Sequence, residues 1–266
     1  MNIQRFVPVS VLCLAAGFSA ASTFAAEPVV SVYEYKIGDA TYEGYIARPA
    51  TPAASQPGVL VVHDWMGNGD FSKDKAVHLA KLGYVAFAVD MYGKGRRAGD
   101  AGEAQKLSGE LYGKPELFRE RMLAALEILK KQPGVDATRL GAIGFCFGGT
   151  AAIELARAGA DLKGVVTFHG GVKPFSPTSA GAIKGHLLIL HGALDPLVPP
   201  ADLAACMADL NAAHAYYRVV AYPEAVHAFT NPNAGSDISK GIAYNPAAAR
   251  EAFAEMEAFF KGVFAK

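Results

Sequence analysis

The chain has 266 residues, 52% of them hydrophobic and 19% charged, with 25 basic side chains against 25 acidic ones. So apolar a chain buries enough surface to offset its conformational entropy, which excludes a disordered or low-complexity protein. Zero net charge offers no long-range field to a nucleic acid or an anionic membrane, and three cysteines are too few for a disulfide-stapled miniature fold.

Residues 1–25 read as a secretory signal peptide. Arg5 is the only charge there, an apolar run follows over 6–18, and the exit is built of small residues. Cleavage after Ala25 places Thr23 and Ala25 where small side chains are needed, and cleavage after Ala21 competes with it. The run falls short of the roughly 20 residues that span a bilayer, and Pro8 fits poorly inside a helix. The expectation is export, most simply to a bacterial periplasm, of a single domain over 26–266 that retains Cys146 and Cys206.

Along that domain, residues 29–37 and 42–48 alternate as two strands joined at Gly38-Asp39, an antiparallel start. Six runs follow, at 59–63, 84–90, 140–145, 164–169, 186–191 and 216–222, most of them apolar almost without interruption. Strands of that kind belong in a parallel sheet covered on both faces. Between them lie helical segments: one capped by Ser72 and ending at Leu82, then 117–131, 148–157, 200–213 and 247–264. Phe253, Met256, Phe260 and Phe264 in the last segment form a core stripe. Two long connections remain as candidate lids or binding loops: 91–115, with a short helix near 101–107, and the polar 230–246.

Alternating strands and helices predict an α/β protein whose ligands bind at the carboxyl ends of its strands. The chemistry-bearing residues lie there. Gly144-Phe145-Cys146-Phe147-Gly148 crosses from a strand into a helix and fits Gly-x-nucleophile-x-Gly, with cysteine as the nucleophile. The glycines make room at a sharp turn, and the helix start supplies free N–H groups to an oxyanion. Such a cysteine needs a base, and the base needs an orienting acid. Asp195 follows the strand at 186–191 in a Pro-bounded loop, and His227 follows the strand at 216–222, giving the chain order nucleophile, acid, histidine. His63, His169 and His191 also end strands and serve as pocket walls, because each precedes the nucleophile or the acid. No spacing of Cys and His suggests a metal site.

GFCFGG at 144–149, HGALDPLVP at 191–199, VHAF at 226–229 and VVHDWMGNG at 61–69 together resemble the dienelactone hydrolase family of α/β-hydrolases. The resemblance implies an eight-stranded or similar sheet, no cofactor, and hydrolysis of small esters or lactones through a thioester on Cys146. It also implies an oxyanion hole from the backbone N–H groups of Trp65 and Phe147. Asp64 stands where the family's founding enzymes carry a glutamate that pairs with the resting thiol. Lys94, beside Tyr92, and Asn231 stand where those enzymes clamp an acidic substrate with arginines. Lysine is the poorer carboxylate clamp and asparagine has no charge, which weakens the case for an acidic substrate. Two further readings stay open at this point: an acyl-peptide or thioester hydrolase, and a binding protein that has kept the fold and lost the reaction.

Overall fold

A computed structural model describes residues 26–265. The expected signal peptide lies outside the described residues. Strands β1 (Val29–Ile37) and β2 (Ala40–Arg48) form the expected antiparallel hairpin, with Gly38 at φ 58° in the turn. Strands β3 (Gln56–Val62), β4 (Val85–Val89), β5 (Val135–Phe145), β6 (Gly164–Phe168), β7 (His186–Gly192) and β8 (Tyr216–Tyr222) follow. All eight join one sheet in the order β1-β2-β4-β3-β5-β6-β7-β8. β2 meets β4 antiparallel, and every pairing from β4 to β8 is parallel.

Both faces are covered, which is why the strand runs are apolar rather than alternating. Helices α1 (Asp70–Lys81) and α6 (Pro246–Phe264) cover the face presenting Val59, Val61, Ile143, Val166 and Leu188. The other face presents Leu60, Val62, Phe87, Val165 and Ile189 to α2 (Ala101–Tyr112), α3 (Pro115–Lys130), α4 (Phe147–Arg157) and α5 (Pro200–Ala212). Met256, Phe260 and Phe264 are buried in the first of these cores, as their helical spacing predicts. Each such side chain contributes about 1.5–3 kcal/mol by leaving water. Among the described residues no helix is long and apolar enough to cross a membrane.

The structure corrects some boundaries. Gly69, not Ser72, precedes the first turn of α1; the Ser72 hydroxyl sits inside that turn, accepting from the Gly69 N–H at 3.2 Å and donating to Asn68 at 2.7 Å. The short helix near 101–107 runs on to Tyr112, capped by the Asp100 side chain on the Glu103 N–H at 2.9 Å. The strand at 140–145 starts earlier, at Val135, where Val135 and Asp136 pair with Gln56 and Pro57 at the beginning of β3.

β3 lies between β4 and β5, so the chain leaves it to one side and returns on the other. That reversal opens a crevice beyond the carboxyl ends of β3 and β5. The loops carrying Asp64-Trp65 and Cys146 leave the sheet there.

Candidate active site

Cys146 joins β5 to α4 with φ 53° and ψ −116°, a strained conformation for a residue with a side chain. The surrounding backbone enforces it: Cys146 N–H donates to Phe168 C=O at 3.0 Å, and Gly149 N–H donates to Cys146 C=O at 2.9 Å. A Cβ on Gly144 would lie 1.8 Å from the Gly148 carbonyl oxygen, and one on Gly148 would lie 2.3 Å from that of Val62. No other residue fits either place. The Phe147 ring behind the turn is buried and stacks on His63, with ring centres 5.7 Å apart.

The structure brings Asp195 and His227 together. His227 Nδ1 lies 2.8 Å from Asp195 Oδ2, and the other Asp195 oxygen accepts the Leu197 N–H at 2.8 Å. Both residues are buried. The backbone of the 230–246 connection holds the histidine: His227 N–H donates to Gly241 C=O and Ala243 N–H donates to His227 C=O, both at 3.1 Å. His227 Nε2 is buried with no hydrogen-bond partner among the described residues. Burial opposes charge on this imidazole, but Asp195 and the adjacent Cys146 sulfur outweigh it and push its pKa up to about 10. His169 packs edge-on against His227, with ring centres 5.2 Å apart, and is driven well below the usual histidine range by burial and by its neighbour's charge. Two touching imidazoles thus have their pKa values pushed in opposite directions, the kind of separation that lets one of a pair carry charge while the other stays neutral.

The loop after β3 is fixed from below. His63 Nε2 accepts the Met91 N–H at 3.1 Å, so its proton sits on Nδ1, which donates to Asp64 C=O at 2.5 Å. Burial keeps this ring neutral by lowering its pKa. Tyr92 donates its hydroxyl to Trp65 C=O at 2.9 Å. Its place is under the loop rather than on substrate, since it is buried against His63 and Phe147. The N–H groups of Trp65 and Phe147 donate to nothing among the described residues. The buttressing role of His63 was missed in the sequence; its only signal was a histidine ending an apolar strand.

A cavity of about 370 Å³ opens onto Cys146 and His227. Its walls include Trp65, Met66, Phe71, Leu197 and Ile242, with Asp64 and Asn231 as polar members. Asp64 accepts the Met66 N–H at 2.8 Å and makes no hydrogen bond to Cys146 among the described residues. Burial raises its pKa, only partly opposed by that N–H and the nearby histidines. Asn231 reaches the cavity from a turn in which its side chain accepts the Asn233 N–H at 2.9 Å.

Lys94 is not in the cavity, contrary to the expectation. Its ammonium pairs with Glu34 and lies 3.6 Å from Glu43, drawn to the hairpin of β1 and β2. Arg96 pairs with Glu110 at 2.8 Å, and Arg97 donates to the Tyr45 hydroxyl at 2.8 Å. Among the described residues no lysine or arginine lines the cavity. Among the described residues no group of three or more His, Cys, Asp or Glu could hold a metal ion. Cys206 is buried in α5 beside Arg157, and both it and Cys146 are free thiols.

The model of the dienelactone hydrolase family matches residues 42–264. The solved structure m3DLH is 37% identical and superposes with a TM-score of 0.86, covering 90% of this chain and 100% of that one. A dienelactone hydrolase-like promiscuous phosphotriesterase from metagenomic libraries is 36% identical with a TM-score of 0.85, covering 90% of this chain and 99% of its own. A Bradyrhizobium protein described as "Probable 2-oxo-3-(5-oxofuran-2-ylidene)propanoate lactonase" is 31% identical over 199 residues, 70% of this chain and 77% of that one.

Proposed function

This chain belongs to the dienelactone hydrolase family of α/β-hydrolases, and on that footing we propose that it hydrolyses uncharged carboxylic esters or lactones through a thioester on Cys146. The observation that carries the reading is the buried 2.8 Å bond from His227 Nδ1 to Asp195, which leaves Nε2 free beside the thiol.

In the proposed reaction the thiol proton passes first to His227 Nε2, in line with that imidazole's raised pKa, and Cys146 Sγ then adds to the ester carbonyl carbon. The carbonyl π pair moves onto oxygen, and the N–H groups of Trp65 and Phe147 receive that charge. Collapse expels the alkoxide, which takes the proton from His227, and a thioester remains. Water then adds to the thioester carbon, giving its proton to His227; the second collapse expels the sulfur, which recovers the proton. Asp195 keeps its hold on Nδ1 throughout, so Nε2 is the atom that takes and returns the proton. With a lactone the alkoxide stays tethered to the acyl group, so product leaves only after the second half.

Substrate neutrality follows from the walls. A carboxylate in the cavity would meet Asp64 and neither lysine nor arginine, the His227 charge being already paired with Asp195, and a buried charge without a partner is costly. A neutral phosphotriester meets the same condition, and one structural relative is described as a promiscuous phosphotriesterase, so such a compound extends the test panel. Cys146→Ala is expected to reduce turnover of an activated neutral ester at least about 10³-fold while the thermal unfolding curve stays in place. Unchanged turnover would sink the mechanism. Turnover of peptides or acyl thioesters in preference to esters would favour the second hydrolase reading, and no turnover at all the binding protein. Residues 1–25 support export, most simply to a periplasm; N-terminal sequencing that finds Met1 on the exported protein would refute it.

A further inference from the structure

A second cavity, also about 370 Å³, lies beside the first and shares Leu197 with it. Its walls are mostly apolar: Tyr112, Val172, Phe175 and Val198, with the Thr150 hydroxyl as an interior polar group. Thr150 stands one turn beyond Cys146 on α4, its N–H donating to Cys146 C=O at 3.2 Å. Tyr112 meets Phe175 edge-on with ring centres 6.2 Å apart, and its hydroxyl lies 3.3 Å from Thr150 Oγ1. Lys173 and Asp202 bring opposite charges to the lining, which together favour neither anion nor cation.

The segment 172–178, whose first part supplies the wall residues Val172 and Phe175, is held by a buried charge cluster. Glu154, fully buried, accepts from Arg119 at 2.6 Å and from Arg157 at 3.0 Å. Arg157 donates to Val172 C=O at 3.0 Å, and Asp209 accepts the Thr178 N–H at 2.8 Å. Burying ions is costly unless they are well paired. Here that pairing fixes a loop whose inner side faces a cavity, so the cavity is a built feature. Leu197 is 57% exposed between the two cavities, an apolar surface that a bound molecule would cover.

The geometry points to the second cavity as a subsite for the remote arm of the ester, an uncharged alkyl or aryl group lying across Leu197 from the reacting carbonyl. The inference rests on the thioester reading and adds a preference for long or aromatic neutral esters. Walls held in place before binding spare the ordering cost, so the arm contributes most of its apolar contact to affinity.

The test compares kcat/KM in two series, 4-nitrophenyl acetate against hexanoate and methyl against hexyl esters of one acid, for wild type, Phe175→Ala and Leu197→Ala. In at least one series the longer arm is expected to be favoured in wild type, and both variants should cut that advantage roughly tenfold, mainly through KM. If Phe175→Ala fails to fold, Leu197→Ala decides, because its side chain is largely in solvent. No length preference in either series, or one that folded variants leave unmoved, overturns the subsite while Cys146-dependent turnover keeps the thioester reading intact. Turnover that survives Cys146→Ala overturns both.

Discussion

The corner formed by Lys94, Arg96 and Arg97 and the cavity in front of Cys146 are both built from connections that leave the strands, yet they divide charge from chemistry. The corner holds three cations, and each already has a partner: Glu34, Glu110 and the Tyr45 hydroxyl, respectively. The cavity holds the thiol and a histidine whose charge Asp195 supports, with no lysine or arginine in its lining. Lys94 and Arg96 are ion-paired at the surface and do little for binding elsewhere, because their fields are answered and screened, while Arg97, held by a neutral hydroxyl, stays outside the cavity lining. The difference teaches that the charge a cavity offers is read from the groups lining it, not from the basic residues nearby in sequence.

The strongest way to break that comparison is to remove the support for the cavity's histidine. Asp195→Asn is expected to lower kcat roughly 10³–10⁴-fold, by freeing the wrong tautomer, as read with an activated neutral ester. The same variant alters stability against pH. His227 has its folded pKa raised from 6.5 to about 10, so its stabilising charge is complete below about pH 6.5 and is lost as pH rises through about 10. Wild type should therefore lose stability over that alkaline window, and Asp195→Asn should flatten the loss in thermal unfolding scans.

A sharper version moves a cation into the cavity. Asn231→Arg should raise kcat/KM for a carboxylate-bearing ester, relative to its neutral analogue, about tenfold, since one hydrogen bond to a charged group is worth about 1.5–3 kcal/mol. Lys94→Ala should leave the same ratio within about twofold, as expected for an exposed ion pair. If Lys94→Ala moves the ratio as far as Asn231→Arg does, the separation of the two corners is wrong.

The smallest effect concerns Asp64. Burial raises its folded pKa, so below the unfolded value of about 4 it carries no penalty, and the penalty for its charge grows as pH rises through the raised value. Asp64→Asn keeps an acceptor for the Met66 N–H and should be more stable than wild type at neutral pH, with the gain vanishing toward pH 4 in thermal unfolding.

Much of this was legible in the sequence because the fold binds ligands at strand ends, and strand ends are marked by apolar runs. Cys146, Asp195 and His227 each follow such a run, and Gly144 and Gly148 mark the turn by a steric need that the structure bears out. The apolar strands announced a sheet covered on both faces, and the structure has two cores. What stayed hidden depends on partners distant in sequence. Lys94 reads as a free cation until the hairpin folds Glu34 against it. The proton on His63 is set by the Met91 N–H, which no spacing reveals. The second cavity needs Tyr112, Thr150, Phe175 and Leu197 from four separate segments, one of them a helix that the sequence suggested only in part.

The account turns on a covalent bond to one sulfur. Intact-protein mass spectrometry after rapid mixing with a slowly turned-over neutral ester, followed by peptide mapping, reads it directly. The expected result is a mass gain equal to the acyl group, located on the peptide containing Cys146 and absent in Cys146→Ala. Turnover with no adduct at any mixing time, or an adduct on another residue, would contradict it.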